Sequence, residues 1–254
     1  MRPLLLITIL VLITFPSLSH ADPFRWTGCF STPDGMPRAP KSFSAAKRIA
    51  LRTIYQGHRT TFYCRCGYTP RKQVSPSRCG YKPRRANARS KRIEWEHIVP
   101  AAAFGKHRPC WKRRDCTSKR GRKIRGRKCC RATDPIFRRM EADLVNLVPA
   151  IGELNGDRSN YRFDDIPGEP RVYGRCDFEV DRKRRIAEPP PGRQGEIART
   201  YLYMHYAYKG GLPLSKNQIR RFLRWHRADP PDAWEKERNR RISKVQGGEN
   251  PLIE

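Results

Sequence analysis

Nine cysteines, at positions 29, 64, 66, 79, 110, 116, 129, 130 and 176, constrain this chain more than any other feature. None lies in the opening stretch, where Met1 and Arg2 precede an apolar run from Leu4 to Phe15 and the small-residue sequence Ser19-His20-Ala21. That order is the pattern of a secretory signal peptide, with cleavage expected after Ala21. The run is too short to span a bilayer and no later segment is long enough, so no membrane helix is expected. Exported chains meet oxidising conditions, and the cysteines are therefore expected mostly as disulfides. A zinc site of Cys110, Cys116, Cys129 and Cys130 with His107 competes with that reading, and export disfavours it. The odd count leaves one thiol free or paired with another molecule. Residues 22–254 suffice for one sizeable core, so a single domain is expected, with 22–58 as an N-terminal extension carrying a helix.

The charge balance narrows the partner. The chain has 54 basic and 24 acidic residues, a net charge of +30. A field of that size repels itself unless something anionic is bound. Nucleic acid is the first candidate, because each neutralised phosphate releases condensed counterions. An anionic membrane or cell wall is the second. The basic residues recur through 84–92, 106–131, 182–185 and 220–241, which argues for a folded domain with a basic face, not a disordered arm. Charge alone argues for binding, not for chemistry.

Local signals outline the elements. Ser44 before AAKRIALRTIY predicts a capped helix stopped at Gly57. TTFYCRCGY, residues 60–68, reads as a strand, and RIEWEHIV, 92–99, as a second one ended by Pro100. Residues 105–135 lack apolar periodicity and read as a long, stapled loop. DLVNLVPA, 143–150, predicts a third strand, with Pro149 opening a short helix over AIGELNGDRSN. Three helices follow: GEIARTYLYMHYAY, then SKNQIRRFLRWHRA with Ser215 and Gln218 as a capping box, then DAWEKERNRRISKVQGG with Asp232 and Glu235 as its box and Gly247 as stop. No βαβ alternation is present, so the fold class is α+β. Tyr201, Tyr208, Met204 and Ile197 fall at helical spacing and are expected in the core. His205 and His226 are expected to be structural, whereas His107 follows the site closely enough to touch a ligand.

Two stretches carry candidate chemistry. EWEHIVP, 94–100, sets a histidine between carboxylates and aliphatic residues. Strict alternation would put Glu96 and His97 on opposite faces of a strand, so both can serve one site only where the strand ends. NLVPAIGELNGDRSN, 146–160, supplies Asn155, Arg158 and Asn160, polar groups suited to phosphate or metal. A neutral carbonyl with a single carboxylate fits Mg²⁺, which keeps several waters and takes phosphate oxygens as further ligands.

Together these stretches resemble the endonuclease I family, secreted and periplasmic nucleases of the ββα-metal or His-Me finger group. YCRCGY, CGYKPRR, RSKRIEWEHIVPAAAFG, CW, GRKCC, DPIFRRMEADLVNLVPAIGELNGDRSNYRF, AEPP with GEIARTYLYM, and RISKVQG match in order from about residue 60 to 250. The resemblance implies a ββα-metal core with additional helices and disulfide-stapled loops. It implies His97 as general base, its second nitrogen held by a backbone carbonyl near Glu141. It implies Glu96 and Asn155 as the protein ligands of one Mg²⁺, replaceable by Mn²⁺ or Ca²⁺. Arg127 would be the phosphate-stabilising cation, with Arg122 as rival and with Arg158 and Asn160 as further nucleic-acid contacts. A neutral imidazole titrates near working pH and can take a proton from attacking water. The implied activity is hydrolysis of double- and single-stranded DNA, and RNA in many members, to 5′-phosphorylated products with little sequence preference. The expected state is a monomer. The alternative is a basic secreted protein that coats nucleic acid or envelope polymers without cutting.

The chain departs from the family pattern in its cysteines and one loop. Residues 112–125, KRRDCTSKRGRKIR, look inserted. Two cysteines expected near the C-terminus are absent, Lys236 standing at one of those positions, while Cys29, Cys116 and Cys129 are extra. Cys110 and Cys130 match family positions flanking the loop, and Cys116 and Cys129 lie within it. The simplest arrangement is nested, Cys110–Cys130 outside Cys116–Cys129.

Overall fold

Strand β3, Ile93–His97, pairs antiparallel with β4, Leu147–Ile151, in a register that sets Trp95 opposite Pro149 and His97 opposite Leu147. In this computed structural model, which describes residues 30, 32–85, 87–168, 170–208 and 210–253, that ribbon lies at the centre of the core. The signal-peptide expectation and Cys29 fall outside the described residues. Pro149 does not open a helix as expected. Its carbonyl accepts the Phe62 amide at 2.7 Å, so its polar edge faces away from β3 and the missing N–H removes no bond between the strands. The helix starts later, as α6, Gly152–Arg158. Its buried Glu153 accepts from the Tyr81 hydroxyl and the Arg84 and Arg85 amides, tying the preceding basic loop to it.

Before the ribbon come α1, Phe43–Ile49, a π-helical turn over Ala50–Ile54, and the short strands β1, Gly67–Tyr68, and β2, Val74–Ser75, which pair antiparallel. The α1 cap is Ser42, whose side chain accepts from the Ala45 amide, while Ser44 lies inside the helix. The strand expected over 60–68 shrinks to its last two residues. Cys64 is bonded to Cys176 and Cys66 to Cys79, and between them Arg65 turns the chain at φ 55°. Two disulfides pulling neighbouring residues to separate partners override the β-forming side chains.

The segment between β3 and β4 carries four short helices separated by irregular chain, so the stapled loop expected over 105–135 is confined mainly to the stretch 113–126. It contains α2, Ala101–Gly105; α3, Pro109–Lys112; α4, Arg127–Thr133; and α5, Pro135–Ala142, whose cap Asp134 accepts from the Phe137 amide. The nested pairs Cys110–Cys130 and Cys116–Cys129 are both present, and these four cysteines are consumed by disulfides, not zinc.

A small sheet follows, ordered β5-β7-β6, from β5, Arg162–Phe163, β6, Glu179–Asp181, and β7, Ile186–Glu188. The C-terminal third is α7, Pro191–Tyr206, α8, Lys216–Ala228, and α9, Ala233–Gln246. The Ser215–Gln218 capping box forms, Asp232 caps α9, and Gly247 ends it at φ 68°. Gly195 brings α7 against the end of α8, where a Cβ would stand 1.9 Å from the Asp229 carbonyl oxygen. Ile197, Tyr201, Met204 and Tyr208 are core residues. The described residues form an α+β fold with small sheets and four disulfides, and no described helix is long and apolar enough to cross a membrane.

Candidate active site

A cavity of about 440 Å³ opens at the end of β3, with Glu96, His97, Arg127, Asn155, Arg158 and Asn160 in its wall. Glu96 and His97 are the last two residues of the strand, and both line this cavity although they alternate along the chain. Four expected site residues are therefore assembled from three elements: Glu96 and His97 from β3, Arg127 from the first position of α4, and Asn155 from α6.

His97 is buried and fixed from both sides. Its Nε2 lies 2.8 Å from the Glu141 carbonyl oxygen. A carbonyl can only accept, so Nε2 carries the proton and Nδ1 is left as the basic nitrogen. The Phe43 ring lies 4.9 Å from the imidazole, centroid to centroid. Burial, reinforced by the nearby Arg127 cation, lowers its pKa to about 4, so the ring is neutral at pH 7.

Glu96 is held by one oxygen only. Oε1 accepts from the Tyr63 hydroxyl at 3.2 Å and from Arg158 Nη1 at 3.0 Å. Oε2 has no hydrogen-bond partner among the described residues. Burial pushes the carboxyl up to about 7 in spite of the Arg158 charge. Asn155 donates Nδ2 to Glu94 Oε2 at 3.1 Å, and Glu94 is gripped in turn by Arg89 through Nε at 2.9 Å and Nη2 at 2.6 Å. The amide orientation that satisfies this contact leaves Asn155 Oδ1 unpartnered among the described residues. Two oxygen donors with free lone pairs thus border one cavity. No group of three or more His, Cys, Asp or Glu side chains among the described residues is placed to hold a metal, so water must complete any ion's shell here.

Arg127 reaches the cavity with Nε on Glu141 Oε1 at 2.5 Å and its guanidinium 5.2 Å from the Phe43 ring centroid. Its Nη2 is buried without a partner, a donor still to be satisfied. Burial alone would raise the Glu141 carboxyl, but Arg131 and Arg127 hold it below the ordinary value. Glu141 thus serves twice: its carbonyl orients His97 and its carboxylate anchors Arg127.

The other expected contacts are distributed differently. Arg158 is wholly buried, donating to Glu96, to the His97 carbonyl at 2.8 Å and to the Ile98 carbonyl at 2.6 Å. Its guanidinium positions Glu96 and the strand end, while Arg158 also lines the cavity and its Nε is buried without a partner. Asn160 lines the cavity, its Oδ1 accepting from Arg185 at 3.0 Å. Arg122 is exposed in the loop and outside the cavity wall, as is His107. His205 Nδ1 lies 2.6 Å from the Leu212 carbonyl oxygen, away from the site. Sequence reasoning missed Tyr63, Glu141's carboxylate, Phe43 and Trp111. Only Glu141 had a signal, two arginines placed at helical distance across the α4–α5 junction.

A family model described as Endonuclease I matches residues 47–254. The chain is 43% identical over 270 residues to an extracellular deoxyribonuclease of Aeromonas hydrophila, covering 100% of this chain and 97% of that protein. A periplasmic deoxyribonuclease of the same species is 46% identical over 231 residues, 84% of this chain and 86% of its own length. An endonuclease-1 of Buchnera aphidicola (strain APS) is 40% identical over 216 residues, 84% of this chain and 80% of its own.

Proposed function

The chain belongs to the endonuclease I family of secreted and periplasmic nucleases, and we propose that it hydrolyses DNA phosphodiesters at the β3 cavity with His97 as general base and one Mg²⁺ ion. In this reading β3, β4 and α6 are the ββα-metal core. The observation that carries it is the His97 tautomer: Nε2–H is occupied by the Glu141 carbonyl, so Nδ1 is the free base beside Glu96 and Asn155.

The donor set fits the ion. Glu96 Oε2 and Asn155 Oδ1 would hold it, hard oxygens with room for water and phosphate oxygens. Bound there, Mg²⁺ would neutralise charge on the scissile phosphate and on the oxygen that leaves. Mn²⁺ or Ca²⁺ would occupy the same oxygens. The protein's own groups do the rest. His97 Nδ1 accepts a proton from water as the water oxygen bonds to phosphorus. The P–O3′ bond breaks, O3′ takes a proton from solvent, and the product carries a 5′-phosphate. Arg127 offers its unpartnered Nη2 to a phosphate oxygen, and Glu141 keeps both Arg127 and His97 from turning away.

Contacts to phosphate read no base edges, so little sequence preference is expected and RNA is a second substrate of the same site. The test is plasmid cleavage with Mg²⁺ or EDTA by the native chain and by His97→Ala. The native protein should cut only with Mg²⁺, and the variant should bind DNA without cutting it. Near-normal turnover by His97→Ala would remove the mechanism, and binding without cleavage by the native protein would leave a coating role.

A further inference from the structure

Between the cavity-lining residues Trp111 and Arg127 the chain makes an excursion that the site chemistry does not use. Its tip is a small turn: Thr117 bridges Lys123, the Ser118 amide bonds the Arg122 carbonyl at 2.8 Å, and the Gly121 amide bonds the Ser118 carbonyl at 2.9 Å. The Ile124 amide returns to the Cys116 carbonyl at 2.9 Å, closing the base of the turn. Cys116–Cys129 fastens this base to α4, and Cys110–Cys130 fastens α3 to α4 beside it. The excursion is therefore a finger rooted in the cavity rim.

Its charge is one-sided. Lys119, Arg120, Arg122, Lys123 and Arg125 are all exposed, and none has an ion-pair partner among the described residues. The single carboxylate of the segment, Asp115, is already taken by Arg113 at 2.8 Å. Some exposed arginines elsewhere are ion-paired, as in Arg240 with Glu237, Arg182 with Asp157 and Arg89 with Glu94, whereas here no carboxylate of the segment is left to pair. Five like charges held on a stapled turn repel one another, and a polyanion that displaces their small counterions relieves this repulsion.

We propose that residues 112–126 form a cationic finger that grips the phosphate backbone of a nucleic acid flanking the phosphate being cleaved. The proposal rests on the nuclease reading of the cavity. Because the finger leaves and re-enters the fold at cavity-wall residues, a polymer whose phosphate lies against Arg127 must pass the rim from which the finger projects. A fragment of a few nucleotides can fill the cavity without reaching it. The finger thus contributes affinity for long substrate and nothing to the chemical step.

The test variant is Lys119→Ser, Arg120→Ser, Arg122→Ser and Lys123→Ser together. The hydrogen bonds that form the turn use backbone atoms of Arg122, and the bridge to Lys123 is likewise a backbone pairing, so the turn survives the exchange. Four readouts are compared with the native protein: kcat and KM on long DNA, cleavage of a tetranucleotide, and the slope of log K against log salt. Each lost phosphate contact flattens that slope by about 0.9, so the variant should lose between about 0.9 and 3.6. KM on long DNA should rise about tenfold or more at physiological salt, with kcat and tetranucleotide cleavage unchanged. A charge-preserving variant, Lys119→Arg, Arg120→Lys, Arg122→Lys and Lys123→Arg, should restore KM and slope. Unchanged KM and slope on long DNA, or an equal loss on the tetranucleotide, overturns the proposal. So does a variant whose only defect is weaker binding to vesicles of anionic phospholipid, which would assign the finger to a membrane surface. Failure of the native protein to cut any substrate would instead sink the nuclease reading.

Discussion

Replacing Arg158 by Met isolates the group on which the Glu96 carboxylate depends. Arg158 is fully buried and supplies donors to Glu96 Oε1 and to the carbonyls of His97 and Ile98. Methionine fills much of its volume but satisfies none of them. Each of the two carbonyls left without a donor costs roughly 1–3 kcal/mol, so a loss of about 2–6 kcal/mol is expected even when Glu96 is neutral. The ionised carboxylate adds to this, because removing one partner of a buried pair leaves a charge without compensation. With Arg158 present and no cation bound, Glu96 has a pKa of about 7 against an ordinary value of 4.5. A carboxyl raised on folding stabilises the native state at low pH, fully below about 4.5, and that contribution is lost as pH rises through about 7. Without Arg158 the folded pKa moves beyond 7, so the native variant stays protonated where the native wild type has ionised. Between pH 7 and 8 the wild type then loses no more stability from this group, while the variant continues to lose it at about 1.4 kcal/mol per pH unit. Urea unfolding in EDTA, followed by tryptophan fluorescence, should therefore give a destabilisation that is about 1 kcal/mol larger at pH 8 than at pH 6. The increment should vanish when both forms also carry Glu96→Gln. A destabilisation that is flat or smaller at pH 8 would refute the claim that Arg158 sets the charge state of Glu96.

Three further outcomes test neighbouring parts of the site. Glu94→Leu should free the Asn155 amide and weaken Mn²⁺ binding, read by electron paramagnetic resonance on uncut protein, by about 10- to 100-fold, with partial recovery in Glu94→Gln; unchanged affinity would show that Glu94 does not hold Asn155 for the ion. With saturating Mg²⁺, cleavage should stay level from pH 8 to pH 6 and fall only toward pH 4, because the buried His97 remains neutral until its lowered pKa of about 4; a fall centred near 6.5 would mean that His97 titrates as an ordinary histidine. Cys116→Ser with Cys129→Ser removes a staple worth roughly 3 kcal/mol of loop closure, and should lower activity and the protease resistance of residues 112–128 without unfolding the domain; a variant as resistant as the native protein would show that the finger is held by other contacts.

What the sequence made legible follows from how far each cause reaches along the chain. The Ser215–Gln218 box, the Asp232 cap and the Gly247 stop act within one turn, and each was readable from a few residues. The strand over 60–68 was misread because its fate is decided at Cys176 and Cys79, outside any local window. Helices α4 and α5 were hidden by the charge of the stretch, although Asp134-Pro135 is a cap followed by proline at the first helical position. Arginine was the larger source of error. Net charge suggested cations facing outward, yet Arg158, Arg199 and Arg238 are among the largest fully buried side chains. Arg238 alone donates to the carbonyls of Leu144, Val145 and Leu147 and to the Tyr55 hydroxyl, pinning the entry to β4. Arg199 closes on Glu235 and the Asp229 carbonyl at the junction of α7, α8 and α9.

The same distinction divides the site. His97, Glu96 and Asn155 were legible because their own side chains face the cavity and carry chemistry. Tyr63 and the positioning role of Arg158 were not, because each acts through one oxygen of Glu96, 33 or 62 residues away, and the Glu141 carbonyl was named only through the family resemblance. Those partners fix which lone pairs stay free. Tyr63 and Arg158 occupy one oxygen of Glu96 and leave the other to the cavity; Glu141 occupies one nitrogen of His97 and leaves the other as the base; Glu94 occupies the nitrogen of Asn155 and leaves its oxygen. The motif supplies functional groups, and the fold decides which atom of each is available to react.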